Sequence, residues 1–178
     1  MLQFCLFILS YKIPEQFSCQ WWEASLRPHV RQCLSCCVAF KVRRQSELLQ
    51  QHHVIVRREL ARFRGREVNT AGDGFLIAFD GPGRAIRCGI SISRQVRALG
   101  VEIKAGLHSG ECETVGNDLG GLAVHIGSRI ASTAKPGEIL VSSTVKDLVA
   151  GSNIKFKDQG SRAFKGLDDK VRLFEAMA

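Results

Sequence analysis

One acidic side chain stands at the tip of a predicted β-hairpin, between two glycines. The turn is Gly72-Asp73-Gly74, and alternating residues from Val68 on one side and from Phe75 on the other would form its strands. A short turn between buried strands holds a carboxylate rigidly toward solvent, which suits the binding of a hard cation such as Mg²⁺. Because Asp-Gly is also an ordinary turn sequence, the hairpin alone leaves a purely structural interpretation open.

Two basic side chains lie four residues apart later in the chain, at His125 and Arg129. In a helix this spacing puts both on one face, where the imidazole can donate to an oxyanion and the guanidinium can bind phosphate. A solvated helix face is the alternative interpretation for this pair on its own.

Two further charged residues lie beside glycines. Asp118 belongs to a predicted polar loop, Gly110 to Gly121, just before the helix of His125 and Arg129. Lys165 precedes Gly166, and its flexible point charge could reach phosphates. A turn-forming Asp118 and a surface Lys165 are the simpler alternatives, which lose weight when these positions are taken as an ordered set.

Apolar periodicity defines the elements that must position these residues. We expect the following elements: a helix from Ser46 to Gly65, a helix from Pro82 to Leu99, a strand from Val101 to Leu107, a helix from Leu122 to Ala134, a strand from Ile139 to Val141, a short helix from Ser143 to Val149, and late strands at Ile154–Phe156, Ala163–Phe164 and Val171–Phe174. This mixture of helices and strands predicts a sheet with helices packed against it.

The composition indicates one folded domain with an extension. The 178 residues are 45% hydrophobic and 24% charged, as in an ordinary globular protein. Both tryptophans, the single tyrosine and most of the seven cysteines fall before residue 38, so we predict a divergent segment 1–42 and a domain 43–178. The net charge of +8 suits an anionic partner, but the basic residues are scattered, which favours a nucleotide over nucleic acid.

The first 42 residues show little periodicity. Only Val38, Phe40 and Val42 alternate, and they could form one strand. The apolar stretch Met1 to Tyr11 is too short to span a bilayer and lacks the features of a signal peptide. The group Cys33-x-x-Cys36-Cys37 has no second ligand pair for zinc, so we expect reduced thiols and a cytoplasmic protein.

Four stretches together resemble the catalytic domain of the class III adenylate and guanylate cyclases. They are Asn69 to Leu76, Ala105 to Glu111, Asp118 to Arg129 and Phe164 to Gly166, and the similarity runs from about Glu47 to the C-terminus. The resemblance implies a ferredoxin-like α+β fold. It also implies conversion of ATP or GTP into the 3′,5′-cyclic nucleotide and pyrophosphate, in cyclic nucleotide signalling.

The same resemblance implies roles for the residues named above. Two divalent ions, Mg²⁺ or Mn²⁺, would clamp the attacking and leaving oxygens, and Asp73 matches the second metal-binding aspartate. Arg129 matches the arginine that neutralises charge at the α-phosphate, and Lys165 the lysine that binds the triphosphate. Asp118 matches the residue that reads the purine edge. Because such sites form between two subunits, we expect a homodimer or a heterodimer with another cyclase domain, without nucleic acid and without a membrane span.

Three features depart from the family pattern. Asn69 replaces a purine-selecting lysine and His125 replaces the transition-state asparagine, so the choice between ATP and GTP stays open. The first-strand motif Phe-x-Asp-Ile-x-Gly, which carries the other metal ligand, is missing, because no aspartate precedes Asp73 and the nearest acid to the expected place is Glu23. We therefore expect a missing or replaced first strand and impaired metal binding.

Three hypotheses remain after the sequence analysis. The chain could be a nucleotide cyclase with weak or no activity in isolation. It could instead be a regulatory module that pairs with an intact cyclase and completes one of two composite sites. It could also be a truncated or frame-disturbed product without a stable fold.

Overall fold

The computed structural model describes residues 2–12, 34–115, 118–167 and 169–177, with side chains described at Ser10 and in the ranges 46–113, 119–167 and 169–177. The elements are β1 (Leu2–Lys12), α1 (Leu34–Phe63), β2 (Arg66–Ala71), β3 (Gly74–Phe79), α2 (Pro82–Arg97), β4 (Glu102–Val115), β5 (Asp118–Gly120), α3 (Leu122–Thr133), β6 (Ile139–Ser142), α4 (Ser143–Leu148), β7 (Lys155–Arg162) and β8 (Val171–Met177). The predictions made for Glu23 and Cys33 lie outside the described residues.

The strands form one mixed sheet with the order β2-β3-β1-β4-β6-β8-β7, and β5 pairs with the outer end of β4. Only β4 and β6 run parallel among the described pairs; the others are antiparallel. The α+β class predicted from the sequence is confirmed, with helices packed against a sheet.

The strand β1 occupies the middle of this sheet. It pairs with β4 along its whole length, from Leu2 opposite Cys112 to Lys12 opposite Glu102. On its other side it pairs with β3, where Leu9 lies opposite Phe75. The sequence of β1 contains neither aspartate nor glutamate. The predicted replacement of the first strand is therefore a replacement in sequence, since a strand of different composition fills the position.

Helices cover both faces of the sheet. On one face, α1 and α2 bury Leu60 and Ile92 against alternating residues of β3 and β4, including Ile77 and Leu107. On the other face, α3 packs Ile130 and Ala134 against β6 and β8, and Ala123 against β3 and β4. The approach of α3 is closest at Gly106 of β4, where a Cβ atom would lie 2.2 Å from the backbone nitrogen of Ala131. Gly106 thus fixes the depth at which the helix of His125 and Arg129 is seated.

The helix α1 begins twelve residues before its predicted start. The prediction that Ser46 caps this helix is wrong, and so is the strand predicted at Val38 to Val42, which lies within α1. Leu34, Val38 and Val42 are four residues apart, so the apolar spacing fits a helix as well as a strand. The predicted domain boundary at residue 43 falls inside α1 and stays a prediction. Within the described ranges, no helix is both long and apolar enough to cross a membrane.

Two other boundaries differ from the predictions. The segment Gly110 to Gly121 is not simply a polar loop, because β4 continues to Val115 and pairs with β5. Exposed Glu111 and Glu113 alternate with buried Cys112, which is the alternation of a strand. Because two of these three residues are charged, the sequence indicated a polar loop instead. The late strand predicted at Ala163–Phe164 is wrong, since β7 ends at Arg162.

A buried carboxylate joins α1 to α2. Glu59 is only 3% exposed, and it accepts a hydrogen bond of 2.7 Å from the Ser91 hydroxyl. Burial raises the pKa of Glu59, but hydrogen bonds from Gln95 and Ser91 and the charges of Arg62 and Arg58 outweigh burial and lower the pKa overall. Glu59 therefore stays ionised and holds α1 against α2.

A buried histidine lies on the same helix. His52 has no solvent exposure, and its ring centroid lies 5.8 Å from that of Phe75. Burial and, to a lesser extent, the charge of His53 lower the pKa of His52 to about 4, against the opposing effect of Asp73. The folded protein therefore favours the neutral imidazole.

We predict that the free energy of unfolding falls by about 3 kcal/mol as the pH decreases from about 6.5 to 4, because His52 takes up a proton readily only after unfolding. In His52→Leu this part of the pH dependence should disappear. Urea unfolding at several pH values measures it, with the exposed His125→Gln variant as the matched control. An unchanged slope in His52→Leu would contradict the assignment.

Candidate functional site

The hairpin of β2 and β3 carries Asp73 at an exposed turn. Ala71 and Gly74 close the pairing of the two strands, and Gly72 adopts a positive φ of 59°. This left-handed conformation favours glycine, which explains its position beside the aspartate. The predicted hairpin is confirmed, and Asp73 projects from a turn as expected.

The turn is attached to α1 by a histidine that the sequence analysis did not single out. The Nε2 atom of His53 lies 3.0 Å from the carbonyl oxygen of Gly72. Since a carbonyl oxygen only accepts, Nε2 carries the proton and donates. The His53 ring also packs edge-on against Phe75, with the centroids 4.8 Å apart. Both contacts join α1 to the residues on either side of Asp73.

A second contact between α1 and the hairpin involves Arg57 and Glu67. The guanidinium donates two hydrogen bonds to the carboxylate, of 2.9 and 3.0 Å, and Thr70 donates a third of 2.7 Å. The hydrogen bonds from Arg57 lower the pKa of Glu67 to about 2, against the opposing effect of burial. The pairing of β2 with β3 shifts register between Glu67 and Asn69. This irregularity sets the position of Asn69, which is exposed.

The helix α3 carries the predicted phosphate-binding pair. His125 is exposed and Arg129 is half-buried on this helix. Arg129 donates a hydrogen bond from Nη1 to the carbonyl oxygen of Lys165, whose side chain is exposed in the turn before Gly166. Residues 36 positions apart in sequence thus meet, and the Arg129 side chain contacts the backbone of the turn that carries Lys165.

The backbone of Asp118 starts β5, opposite Val115 of β4. The strand leads through Gly121, which has a φ of 109°, directly into α3. Asp118 is therefore placed four residues before the N-terminus of the helix that carries His125. Its side chain lies outside the described part of the chain.

Beneath the start of α3 lies His108, which the sequence analysis quoted only as part of a motif. Its Nδ1 atom lies 2.9 Å from the Ser142 hydroxyl, which also accepts a hydrogen bond of 3.4 Å from the backbone nitrogen of Val145. Burial lowers the pKa of His108. A neutral His108 therefore joins β4 to Ser142, at the junction of β6 and α4.

A two-metal centre does not fit the residues that the structure describes. Asp73 is the one acid at the hairpin turn, and no group of three histidine, cysteine, aspartate or glutamate side chains suited to a metal occurs within the described side chains. The neighbouring strand β1 has no acidic residue in its sequence. Mg²⁺ is typically held by one or two carboxylates together with water and substrate phosphates, so Asp73 alone would supply one ligand of a weak single-ion site and not a two-metal centre.

The candidate residues form two groups in one chain. Asp73 and Asn69 lie on the hairpin near the β2 edge of the sheet, whereas Lys165 lies between β7 and β8 at the opposite edge. Arg129 is in the same group as Lys165, because its guanidinium contacts the Lys165 carbonyl oxygen. The two groups therefore lie toward opposite edges of the same sheet.

Known proteins match this chain both in sequence and in fold. The family described as "Adenylate and Guanylate cyclase catalytic domain" matches residues 32–175. A protein of Rhizobium meliloti named "Putative adenylate cyclase 3" is 25% identical over 119 residues, which cover 62% of this chain and 20% of the relative. The chain thus spans about a fifth of the length of that relative.

Solved cyclase structures share the fold. The adenylyl cyclase structure from P. aeruginosa superimposes with a TM-score of 0.73 at 20% identity and covers 99% of this chain and 94% of its own. The catalytic core of a rhodopsin-guanylyl cyclase with converted specificity, in complex with ATPαS, gives 0.76 at 20% identity and covers 99% and 96%. These likenesses establish the fold, which is the class III cyclase fold predicted from the motifs. With the family match over most of its length, the chain belongs to the adenylate and guanylate cyclase catalytic domain family.

Proposed function

We propose that this chain is a nucleotide cyclase domain that contributes to forming a 3′,5′-cyclic nucleotide and pyrophosphate from ATP or GTP, at an interface between two cyclase domains. The observation that carries the proposal is the hydrogen bond from Arg129 to the carbonyl oxygen of Lys165, which joins α3 to the turn that carries Lys165. A cytoplasmic role in cyclic nucleotide signalling accompanies this proposal.

The chemistry assigned to this side is recognition and charge stabilisation. Lys165 would bind the triphosphate as a mobile point charge. Arg129 would stabilise the negative charge that develops at the α-phosphate, and His125 would donate a hydrogen bond to the same region. Asp118 and Asn69 would contact the purine edge, from the start of β5 and from the hairpin respectively. Fixed donors of this kind act without reorganisation during the reaction, which is their catalytic advantage.

The part of the proposed site that would bind metal ions lacks one of its two carboxylates. The family uses divalent cations, Mg²⁺ or Mn²⁺, and Asp73 would be one ligand, but β1 offers no second carboxylate. Even the loss of an outer partner of a metal ligand typically lowers metal affinity or activity about 10- to 100-fold. We therefore propose that catalysis by two copies of this chain is impaired.

A second candidate function follows from the same strand. A strand without acids fills the middle of the sheet, while Arg129 contacts the carbonyl oxygen of Lys165. These two observations support a heterodimer in which the other domain supplies the metal carboxylates. In that assembly one composite site would be complete and the other would be inactive.

Restoring a carboxylate to β1 should raise activity. Leu9 lies opposite Phe75, two residues after Asp73, so aspartate at this position would lie on the strand next to the turn. We predict little cyclic nucleotide from the parent chain with ATP or GTP and excess Mn²⁺, and at least about 10-fold more from Leu9→Asp.

Leu9→Asn is the matched control, since it has the same shape without the charge and should not raise the rate. Adding Asp73→Ala to Leu9→Asp should remove the gain. If the parent chain is already as active as Leu9→Asp, and this activity depends on Asp73, a residue outside β1 supplies the missing ligand, and Glu23 becomes the first suspect.

Mixing tests the heterodimer. A cyclase domain with intact metal carboxylates but without its transition-state arginine should be inactive alone and should gain activity when this chain is added. Arg129→Ala should lower that activity at least about 100-fold, because it removes a donor to the developing charge. Arg87→Ala, which changes an exposed arginine of α2, should leave it unchanged. Equal activity with Arg129→Ala would rule out the proposed role.

A further inference from the structure

We propose that His53 and Arg57 of α1 are positioning residues for the hairpin: His53 fixes the turn that carries Asp73, and Arg57 fixes the irregular pairing that places Asn69. The inference deepens the proposed function, on which the roles of Asp73 and Asn69 rest. It assigns to α1 a part in the site that sequence motifs alone did not reveal.

The turn requires an external contact because its own backbone is permissive. Asp73 is flanked by Gly72 and Gly74, and glycine populates far more backbone conformations than other residues. A hydrogen bond to the Gly72 carbonyl restricts the peptide unit that immediately precedes Asp73. The direction of the carboxylate thus depends on the position of the His53 ring.

The His53 ring is itself held in place. It packs edge-on against Phe75, whose ring is buried, with 4.8 Å between the centroids. The guanidinium carbon of Arg57 lies 6.0 Å from the centroid of the same Phe75 ring. Two side chains one helical turn apart therefore contact the first buried residue of β3.

Arg57 acts at the other end of the hairpin. Its planar guanidinium binds both oxygens of Glu67, and this geometry fixes orientation as well as distance. Thr70 binds the same carboxylate from the far side of the register shift. Asn69 lies between these two anchored residues, so its direction is set by them.

The helix that carries these residues is a firm base. Val56 and Leu60 are buried in the core beneath α1, and Glu59 binds Ser91 of α2. If the hairpin turn moved relative to α1, the contacts of His53 and Arg57 would break before the buried core was disturbed. The two residues thus transmit the rigidity of the α1–α2 layer to the hairpin.

Conservative and non-conservative variants separate positioning from packing. His53→Gln keeps a donor at a similar reach, whereas His53→Leu keeps bulk and loses the donor. If His53 merely packed, both variants would shift the melting temperature and leave the turn and its metal affinity alone. If His53 positions Asp73, His53→Leu should speed amide exchange at the turn, whereas His53→Gln should keep exchange close to that of the parent chain.

The experiment is a titration of the full-length chain with Mn²⁺, followed by paramagnetic broadening of backbone amide signals, because this detects even weak sites. We expect broadening at Gly74 in the parent chain, about 10-fold weaker affinity in His53→Leu, and near-parent affinity in His53→Gln. Amide hydrogen exchange is measured in the same samples. His53→Leu should speed exchange from Gly72 to Phe75, and Arg57→Leu should speed it from Glu67 to Thr70, while Arg87→Leu should do neither.

The readouts distinguish failure of this inference from failure of the proposed function. Unchanged hairpin exchange in His53→Leu and Arg57→Leu would overturn the positioning role. If exchange changes as expected but Asp73→Asn binds Mn²⁺ as well as the parent does, or the parent shows no broadening at the turn, the positioning role stands and the metal role of Asp73 fails.

Discussion

The pairing of β1 with both β3 and β4 is the constraint on which the rest of the structure depends. An interior strand satisfies the backbone donors and acceptors of both neighbours, and a sheet that lacked it would expose two unpaired edges. Here the hairpin that carries Asp73 joins the larger part of the sheet through β1. This strand completes the sheet, but it has no carboxylate to place beside the turn of Asp73.

The sheet of this chain is therefore complete, whereas the set of residues proposed for catalysis lacks one metal-binding carboxylate. The α3 side is held by the close contact at Gly106 and brings Arg129 to Lys165. The hairpin side is held by α1 through His53 and Arg57 and presents a single carboxylate. Each side is well positioned by its own helices, and the difference lies in the sequence of one strand. The proposed heterodimer rests on this asymmetry.

The sequence predicted those parts in which local pattern and local chemistry agree. The hairpin followed from the glycines around Asp73, and α3 followed from the spacing of its apolar residues, ended by Pro136-Gly137. The sequence could not predict β1, because a continuous apolar run such as Phe4 to Leu9 has no period that separates a central strand from other buried segments. The contact of Arg129 with Lys165 and that of His53 with Gly72 depend on chain segments that are far apart in sequence.

The most direct test of this account is amide hydrogen exchange along β1 in the full-length chain. Because both edges of β1 are hydrogen-bonded in the sheet, its amides should be protected to the same degree as those of β3 and β4 and should be released in the same unfolding event. Exchange of residues 2–12 at the rate of an unfolded chain, with β3 and β4 still protected, would contradict the account. The centre of the sheet would then be closed by something other than this acid-free strand.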